Sequence, residues 1–154
     1  MILAIDPGNT ESAYVLYDRD TRTPVEFGKV LNEVLLEKLD ELGGHAEKMI
    51  IEMIACYGMP VGKSVFETCV WIGRFIQEWK GEHELMFRRS VKMHLCNSVK
   101  AKDGNVRQAI IDRYLPTGGG KVPQLGTKKE PGPLYGMAKD VWAAMGVAIT
   151  YSNH

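Results

Sequence analysis

The stretch Met1–Tyr17 constrains the fold of this chain more than any other part of the sequence. It is apolar up to Ile5, reaches Asp6, turns through Pro-Gly-Asn and resumes as an alternating run at Ala13. Turn residues between two strand-like runs predict a hairpin, with the first run as its buried strand. A carboxylate at the end of a buried strand is costly unless something compensates its charge. Asp6 is therefore a candidate functional residue.

A second carboxylate occupies a similar position in the segment Lys48–Ala55. Glu52 follows an apolar run in this segment, which reads as a central parallel strand because it is apolar on both faces. Two carboxylates that both lie within buried strands suggest a shared cation. Much of the remaining chain can then be interpreted as the scaffold of that site.

The rest of the hydrophobic pattern predicts a single α/β domain covering residues 1–154, with a mixed sheet and helices on its faces. The predicted strands are Met1–Asp6, Ser12–Asp18, Val25–Val30, Lys48–Ala55 and Glu84–Phe87. The predicted helices are Leu31–Leu42, Val61–Lys80, Ser90–Cys96, Asp103–Tyr114 and Gly136–Tyr151, the last with Asp140 in its first turn. The Gly-, Pro- and Lys-rich segment Leu115–Tyr135 is too irregular for either, and a loop of this length is usually functional or disordered.

Composition gives a predicted location but little information on partners. The chain of 154 residues has a formal net charge of zero and three cysteines without CxxC spacing, a pattern typical of free thiols in a reducing cytoplasm. Asp6 falls where a signal peptide would be apolar, and no uncharged run approaches the roughly 18 residues of a membrane span. A cytoplasmic protein without a membrane segment is the expectation.

The distribution of charge is more informative than its total. Acidic residues dominate between Glu26 and Glu47, whereas basic residues cluster between Arg88 and Lys129. Phosphate binding would produce such a basic half in a neutral chain, because each neutralised phosphate contributes salt-dependent affinity. For any single Lys or Arg, a solvated surface position is the simpler interpretation.

Four segments, in order along nearly the whole chain, resemble the motifs of one family. They are ILAIDPGNTESAY at 2–14, MIIEMI at 49–54, Ser90-Val91-Lys92 together with KAKDGNVRQ at 100–108, and MAKDVWAAMGVAIT at 137–150. These resemble the motifs of the RuvC-type Holliday-junction resolvases. The short length is similar to that of the phage-encoded branch of this group.

The resemblance implies an RNase H-like fold with strand order 3-2-1-4-5, in which the first and fourth strands are adjacent and parallel. It also implies that Asp6, Glu52 and Asp140 are catalytic and bind metal, since oxygen ligands suit Mg²⁺ or Mn²⁺. Two ions per site would then activate water and stabilise the leaving oxygen of a phosphodiester. The implied function is metal-dependent cleavage of branched DNA in recombination or repair.

Further expectations concern DNA contacts and assembly. A homodimer is expected through the helix at 61–80, whose aromatic residues Phe66, Trp71, Phe75 and Trp79 exceed the needs of one buried face. Tyr57 lies where relatives present a residue to unstacked bases. The candidate DNA-binding residues are Lys92, Lys100, Lys102, Arg107, Lys121, Lys128 and Lys129.

The sequence departs from the family pattern at Met137, which lies where relatives usually carry an additional Asp or His. A thioether cannot bind a hard cation, so activity could be reduced or another residue could enter the site. Asp103 is the candidate for this extra carboxylate, although its simpler role is helix N-cap before Gly104.

Three other functions compete with junction cleavage. A branched-DNA-binding module that has lost catalysis is compatible with Met137. A YqgF-like RNA-processing nuclease shares the first motif, but the Lys-rich segment favours DNA branches. An actin-like ATPase would need two such domains, which 154 residues cannot hold. The preferred branch, four-way or three-way, is left open.

Overall fold

The computed structural model describes the whole chain, Met1–His154, as five strands and five helices. The strands are β1 (Ile2–Asp6), β2 (Glu11–Asp18), β3 (Thr23–Leu31), β4 (Lys48–Met53) and β5 (Glu82–Phe87). The helices are α1 (Asn32–Gly43), α2 (Lys63–Glu78), α3 (Arg88–Cys96), α4 (Asp103–Ile111) and α5 (Val141–Ser152). Every predicted element is present, with shifted ends.

The strands form one mixed sheet in the order β3-β2-β1-β4-β5. The hairpin of β1 and β2 is antiparallel and places Asp6 opposite Ala13. Strand β4 lies parallel to β1 on its other side, with Ile5 opposite Ile51, and β5 runs parallel to β4. The predicted strand order and the predicted adjacency of β1 and β4 are therefore confirmed.

Alternation along the central strands divides the core between the two faces of the sheet. Leu3 and Ile5 pack in the cluster that contains α1 and α2, while Ile2 and Ala4 pack in the cluster that contains α3, α4 and α5. Because side chains two positions apart share a face, Asp6 is aligned with Ile2 and Ala4. It therefore belongs to the face covered by α3, α4 and α5.

The face covered by α1 is built from leucines at helical spacing. Leu35, Leu39 and Leu42 are almost fully buried on one side of α1, and they meet Phe75 from α2 over the sheet. Gly43 ends this helix, as its position in the sequence predicted.

The opposite face is covered mainly by α5, which is buried along nearly its whole length. Its run of Ala, Met and Val residues lies across β1 and β2, and α3 and α4 pack against its outer side. A helix that is apolar all round must be enclosed by neighbours, and here the sheet and two helices enclose it. None of the five helices has the length and apolarity to cross a bilayer.

The predicted start of the last helix at Gly136 is wrong. Gly136 and Lys139 have positive φ angles of 88° and 51°, so the chain turns here and α5 begins only at Val141. Asp140 is therefore the N-cap residue and not a member of the first turn. Met137, which continues the apolar spacing of the helix in the sequence, is buried in the core from this turn.

The irregular segment between α4 and α5 is compact. Gly126 has a φ of 76° and lies opposite Pro131 in an isolated antiparallel bridge, and the Gly132 amide donates to the Leu125 carbonyl at 2.9 Å. A Cβ on Gly126 or Gly132 would collide with backbone atoms of the facing strand of the loop. The segment contains no helix or strand, as predicted, but it is held by backbone hydrogen bonds and by buried Leu134.

Candidate active site

Asp6 and Glu52 lie side by side at the carboxyl ends of β1 and β4. Because Ile5 is opposite Ile51, the next residue on each strand is also a neighbour. Glu52 lies two positions after Ile50, which packs in the same cluster as Ala4, so both carboxylates point to the face covered by α5. Their side chains line the same cavity. The adjacency predicted from the sequence is thus present.

These two carboxylates open into a cavity of about 240 Å³ between the sheet edge and the beginnings of α4 and α5. Four carboxylates and two basic side chains line this cavity. The lining residues are Asp6, Glu52, Arg88, Asp103, Val106, Lys139, Asp140, Trp142 and Ala143.

Burial and mutual repulsion disfavour the charged forms of the central pair. Desolvation, followed by the nearby charge of Glu52, raises the pKa of Asp6 from 3.8 to about 8. Desolvation also raises the pKa of Glu52, although the positive charge of Arg88 opposes this shift. Asp6 therefore lacks a cation sufficient to compensate its charge, which is the condition that the sequence pattern suggested.

Arg88, the first residue of α3, enters the site from β5 and contacts two carboxylates. Its Nη1 lies 3.5 Å from Glu52 Oε1, and its Nη2 donates a hydrogen bond to Asp103 Oδ1. Nη1 and Glu52 Oε1 are both buried without a hydrogen-bond partner. Arg88 therefore neutralises charge at Glu52 without satisfying its hydrogen bonding.

Asp140 reaches the cavity from the N-terminus of α5. Its carboxylate does not cap the helix by a side-chain hydrogen bond, and instead lies 2.8 Å from the Nζ of Lys29 on β3. The position at a helix N-terminus also favours its negative charge. The third predicted carboxylate therefore lies in the same cavity as the other two, and a lysine from β3 holds it there.

The turn after Asp6 is fixed by a buried polar network. The Gly8 amide donates to Ser12 Oγ at 3.1 Å, Ser12 Oγ donates to Asn32 Oδ1 at 2.6 Å, and Asn32 Nδ2 donates to the Gly8 carbonyl at 2.9 Å. Ser12 and Asn32 are almost fully buried, and buried polar groups of this kind are stable only when paired. The network holds the backbone directly beside Asp6 in one conformation.

The prediction that Asp103 caps α4 is wrong. The N-cap residue is Lys102, whose amide donates to the Asn105 side chain at 2.9 Å, and Asp103 is the first residue of the helix. The Asp103 side chain is 87% exposed and reaches Arg88 at the cavity. Asp103 therefore lies at the site, as its candidacy for an extra carboxylate required. Met137 is buried in the core instead.

No three His, Cys, Asp or Glu side chains are arranged to hold one metal ion in this conformation. Three of the four carboxylates instead form ion pairs with cationic side chains, Glu52 and Asp103 with Arg88 and Asp140 with Lys29. The donor atoms available are nonetheless all carboxylate oxygens, which is the chemistry of a site for a hard cation. The buried, unpartnered Glu52 Oε1 is consistent with such an ion.

A larger groove of about 510 Å³ adjoins the cavity and shares Glu52 and Arg88 with it. Lys92 lines this groove, together with Arg89 and Tyr57. Tyr57 is 66% exposed, has a φ of 48°, and its ring lies 5.8 Å from the Arg89 guanidinium. The structure thus places Tyr57 and Lys92 beside the carboxylates.

The other predicted DNA-binding residues line neither the cavity nor the adjoining groove. Arg107 lines a separate pocket with Asp103 and Lys139, and its guanidinium lies 5.3 Å from the centre of the Trp142 ring. Lys100 and Lys102 are exposed before α4, and Lys102 directly precedes Asp103. The remaining three are exposed on the compact loop between α4 and α5 and line neither cavity: Lys121, Lys128 and Lys129.

The aromatic residues in the predicted helix 61–80 do not all face outward. Phe75 and Trp79 are buried in the core, and the Trp79 indole donates to the Glu82 carbonyl at 2.9 Å. Trp71 is partly buried against Phe75, with a ring separation of 5.8 Å. Phe66, by contrast, is 62% exposed. The aromatic surplus inferred from the sequence thus reduces to one prominently exposed ring.

Sequence reasoning missed the basic residues that complete the site. Lys29 lies on β3, which is two strands away from β1 and gives no sequence signal of its pairing with Asp140. Arg88 and Arg89 counted only as members of the basic cluster. Lys139 could have been found by its position beside Asp140 in the fourth motif.

Neither a protein-family model nor a curated protein matches this chain. Among solved structures, Thermus thermophilus RuvC is similar, with a TM-score of 0.65 and 12% identity over 98% of this chain and 92% of that one. T. thermophilus RuvC in complex with a Holliday junction substrate gives a TM-score of 0.65 and 14% identity over 98% and 91%. The expected RNase H-like fold and the resemblance to RuvC are therefore confirmed over nearly the whole chain.

Proposed function

We propose that this chain is a divalent-metal-dependent endonuclease that cleaves branched DNA. The observation that carries the proposal is the meeting of Asp6, Glu52 and Asp140 in one cavity, at the positions that the motifs indicated. The shared fold with RuvC, including a RuvC bound to a Holliday junction, supports the choice of substrate. Mg²⁺ is the proposed ion, and Mn²⁺ would substitute.

The proposed ligands are Asp6, Glu52 and Asp140, with Asp103 as a further carboxylate at the edge of the cavity. A bound divalent cation would supply electrostatic stabilisation to the phosphate and acidify an attacking water. The polar network at Gly8 keeps Asp6 in place. Lys29 and Arg88 limit the repulsion among the carboxylates before an ion binds.

The proposed DNA surface runs from the groove beside the cavity to the loop before α5. Lys92 and Tyr57 lie in the groove, where a phosphate and an unstacked base would contact a cation and an aromatic ring. The exposed lysines and Arg107 extend the positive surface away from the cavity. Their role would be to position the backbone of the DNA, because phosphate contacts carry register and affinity.

A four-way junction needs two symmetric nicks, and one chain carries one carboxylate cluster. We therefore include a homodimer in the proposal, with α2 as the contact between copies. Phe66 and Val70, one turn apart on this helix, are each 62% exposed. Exposed apolar side chains at this spacing form the start of a self-complementary patch.

The test of the function is a cleavage assay on four-way, three-way and linear duplex DNA with Mg²⁺, Mn²⁺ or EDTA. We expect metal-dependent nicking of a branched substrate and no comparable cleavage of the linear duplex. Equal cleavage of all three, or cleavage in EDTA, would contradict the proposal.

Assembly is tested separately by sedimentation of the wild type and of Val70→Glu. We expect a wild-type dimer and a folded monomeric variant, because a charge at this exposed position opposes apolar contact between copies. The variant should nick a junction once and fail to resolve it. Gln77→Glu, an exposed change on the same helix, is the matched control. A wild type that stays monomeric on DNA would favour a single-nick enzyme.

A binding module without catalysis is the second candidate. It is favoured by Met137, which is buried in the core and offers no ligand, and by the two ion pairs that hold Asp103 and Asp140. The same assay separates the two functions, since this module would bind junctions and leave them uncut at any Mg²⁺ or Mn²⁺ concentration.

A further inference from the structure

We propose that Arg88 is a permanent cation of the site that takes the place of one of the two expected divalent ions, so that the site holds a single ion. The inference rests on the proposed nuclease function and concerns how that site is charged. Arg88 would be a positioning residue, acting through the carboxylates it contacts.

The position of Arg88 is the first support. Its guanidinium lies between Glu52 and Asp103, and the residue lines both the cavity and the adjoining groove. The chain enters α3 directly from β5, which is hydrogen-bonded to β4 with Phe87 opposite Met53. The backbone before Arg88 is therefore fixed by the sheet, beside the strand that carries Glu52. A second metal ion between Glu52 and Asp103 would have to displace this side chain.

The charge of the site is the second support. Four carboxylates line the cavity, and Arg88 and Lys29 form ion pairs with three of them. Lys139 at the cavity wall is a third cation. With all four carboxylates ionised, the set has a net charge of minus one, which one divalent ion changes to plus one and two would change to plus three. Like charges confined in a partly buried site repel strongly.

The contact between Arg88 and Glu52 is the third support. The two facing atoms, 3.5 Å apart, are both buried and make no hydrogen bond. Glu52 is thus neutralised by charge alone and is free to turn toward an ion on the Asp6 side. Asp103, by contrast, is hydrogen-bonded to Arg88. The arginine would therefore divide the four carboxylates, leaving Asp6, Glu52 and Asp140 for one ion and keeping Asp103 for itself.

The experiment counts bound ions in the DNA-free protein, so that it does not depend on activity. Crystals of the wild type, Arg88→Met and Arg88→Lys are soaked in MnCl₂, and anomalous difference peaks in the cavity are counted. Methionine keeps much of the aliphatic length and removes the charge, while lysine keeps a charge. Arg89→Met is the matched control, because Arg89 lies over Tyr57 outside the cavity.

We expect one Mn²⁺ peak in the wild type, in Arg88→Lys and in Arg89→Met, and two peaks in Arg88→Met. Two peaks in the wild type, or one in a folded Arg88→Met, would overturn the inference. If Arg88→Met does not fold, Arg88→Gln is the second uncharged variant, and it too must show two peaks for the inference to stand. The cleavage assay keeps the two proposals apart: a protein that cuts junctions and binds two ions refutes only the single-ion inference. A protein that binds one ion and cuts nothing refutes only the nuclease.

Discussion

The charged residues at the two ends of the central strands differ in how completely they are paired. At the amino end of β4, Lys48 pairs with Glu84 of β5 at 3.0 Å, and Arg19 pairs with Glu47 at 3.3 Å. Both cations also lie over the ring of Tyr151, at 5.0 and 5.3 Å. At the carboxyl end of the same strands, Asp6 and Glu52 face each other in a cavity, and Glu52 Oε1 lacks a hydrogen bond.

The difference shows which charges serve the fold and which do not. The amino-end pairs are matched one to one at the surface, where each contributes little to stability. The carboxyl-end group has four carboxylates with burial that raises the pKa of the central pair. A fold does not need an unfavourable arrangement of this kind, which makes this end of the strands the candidate functional site.

The largest expected effect comes from removing the carboxylates one at a time. Asp6→Asn, Glu52→Gln and Asp140→Asn should each lower cleavage by about 100-fold or more, because each removes a charged ligand of the proposed metal ion. Junction affinity should change little, since it comes from Lys and Arg contacts. Cleavage is measured on a four-way junction and binding by gel shift in EDTA.

The matched control for these variants is Glu84→Gln at the other end of the strands. It breaks a surface pair of a similar chemical type and should leave cleavage within about twofold, given the small energy of exposed pairs. Wild-type turnover in any of the three carboxylate variants would contradict the assignment of that residue.

The next largest expected effect is on DNA binding, and it compares lysines near the carboxyl ends of the strands with a lysine at the other end. Lys92, Lys100 and Lys102 all replaced by Ala should weaken junction binding and reduce the slope of log K against log salt by about 0.9 per lost phosphate contact. Lys80→Ala, whose side chain is 86% exposed at the amino-end side of β5, is the control and should leave the slope unchanged. An unchanged slope in the triple variant would mean that these lysines are ordinary solvated surface residues and do not contact phosphates.

The smallest expected effect is on stability without metal. The folded-state pKa of Asp6, about 8, lies above its ordinary value of 3.8, so the folded protein retains a proton that the unfolded chain loses. The contribution of Asp6 to the free energy of unfolding should therefore be greatest below about pH 4 and should fall as the pH rises toward 8. Thermal melting in EDTA should show this decline in the wild type.

Asp6→Asn removes the titrating group and should flatten the decline, while Glu84→Gln should keep it. The difference between wild type and variant is the quantity to compare, because groups that do not interact with Asp6 cancel in it. Equal slopes in wild type and Asp6→Asn would mean that Asp6 keeps an ordinary pKa in the folded protein.

The sequence predicted the parts of the site that follow from strand periodicity. Asp6 and Glu52 each end an apolar run of known direction, so their adjacency needed only the parallel pairing of β1 and β4. Asp140 was found through the fourth motif, although the start of its helix was placed too early. The apolar positions Leu134 and Met137 extend the helical spacing backward, and nothing local reports the positive φ of Lys139.

The ion pairs of the site could not be predicted in the same way. Lys29 meets Asp140 only because β3 ends and α5 begins at the same edge of the fold, more than a hundred residues apart in the chain. Arg88 meets Asp103 because α3 and α4 begin beside the same cavity. Such contacts depend on how the elements pack in the tertiary structure. The periodicity of apolar residues and the residues of turns contain no information on that packing.

The compact loop before α5 has a consequence for how this chain can vary. Its interior positions Gly126 and Gly132 leave no room for a side chain, whereas its lysines, Lys121, Lys128 and Lys129, project freely. The loop can therefore exchange its outward residues without altering its backbone. Under random mutagenesis, the glycine positions should be intolerant and the lysine positions permissive, so that the charge of this surface can change while the fold stays the same.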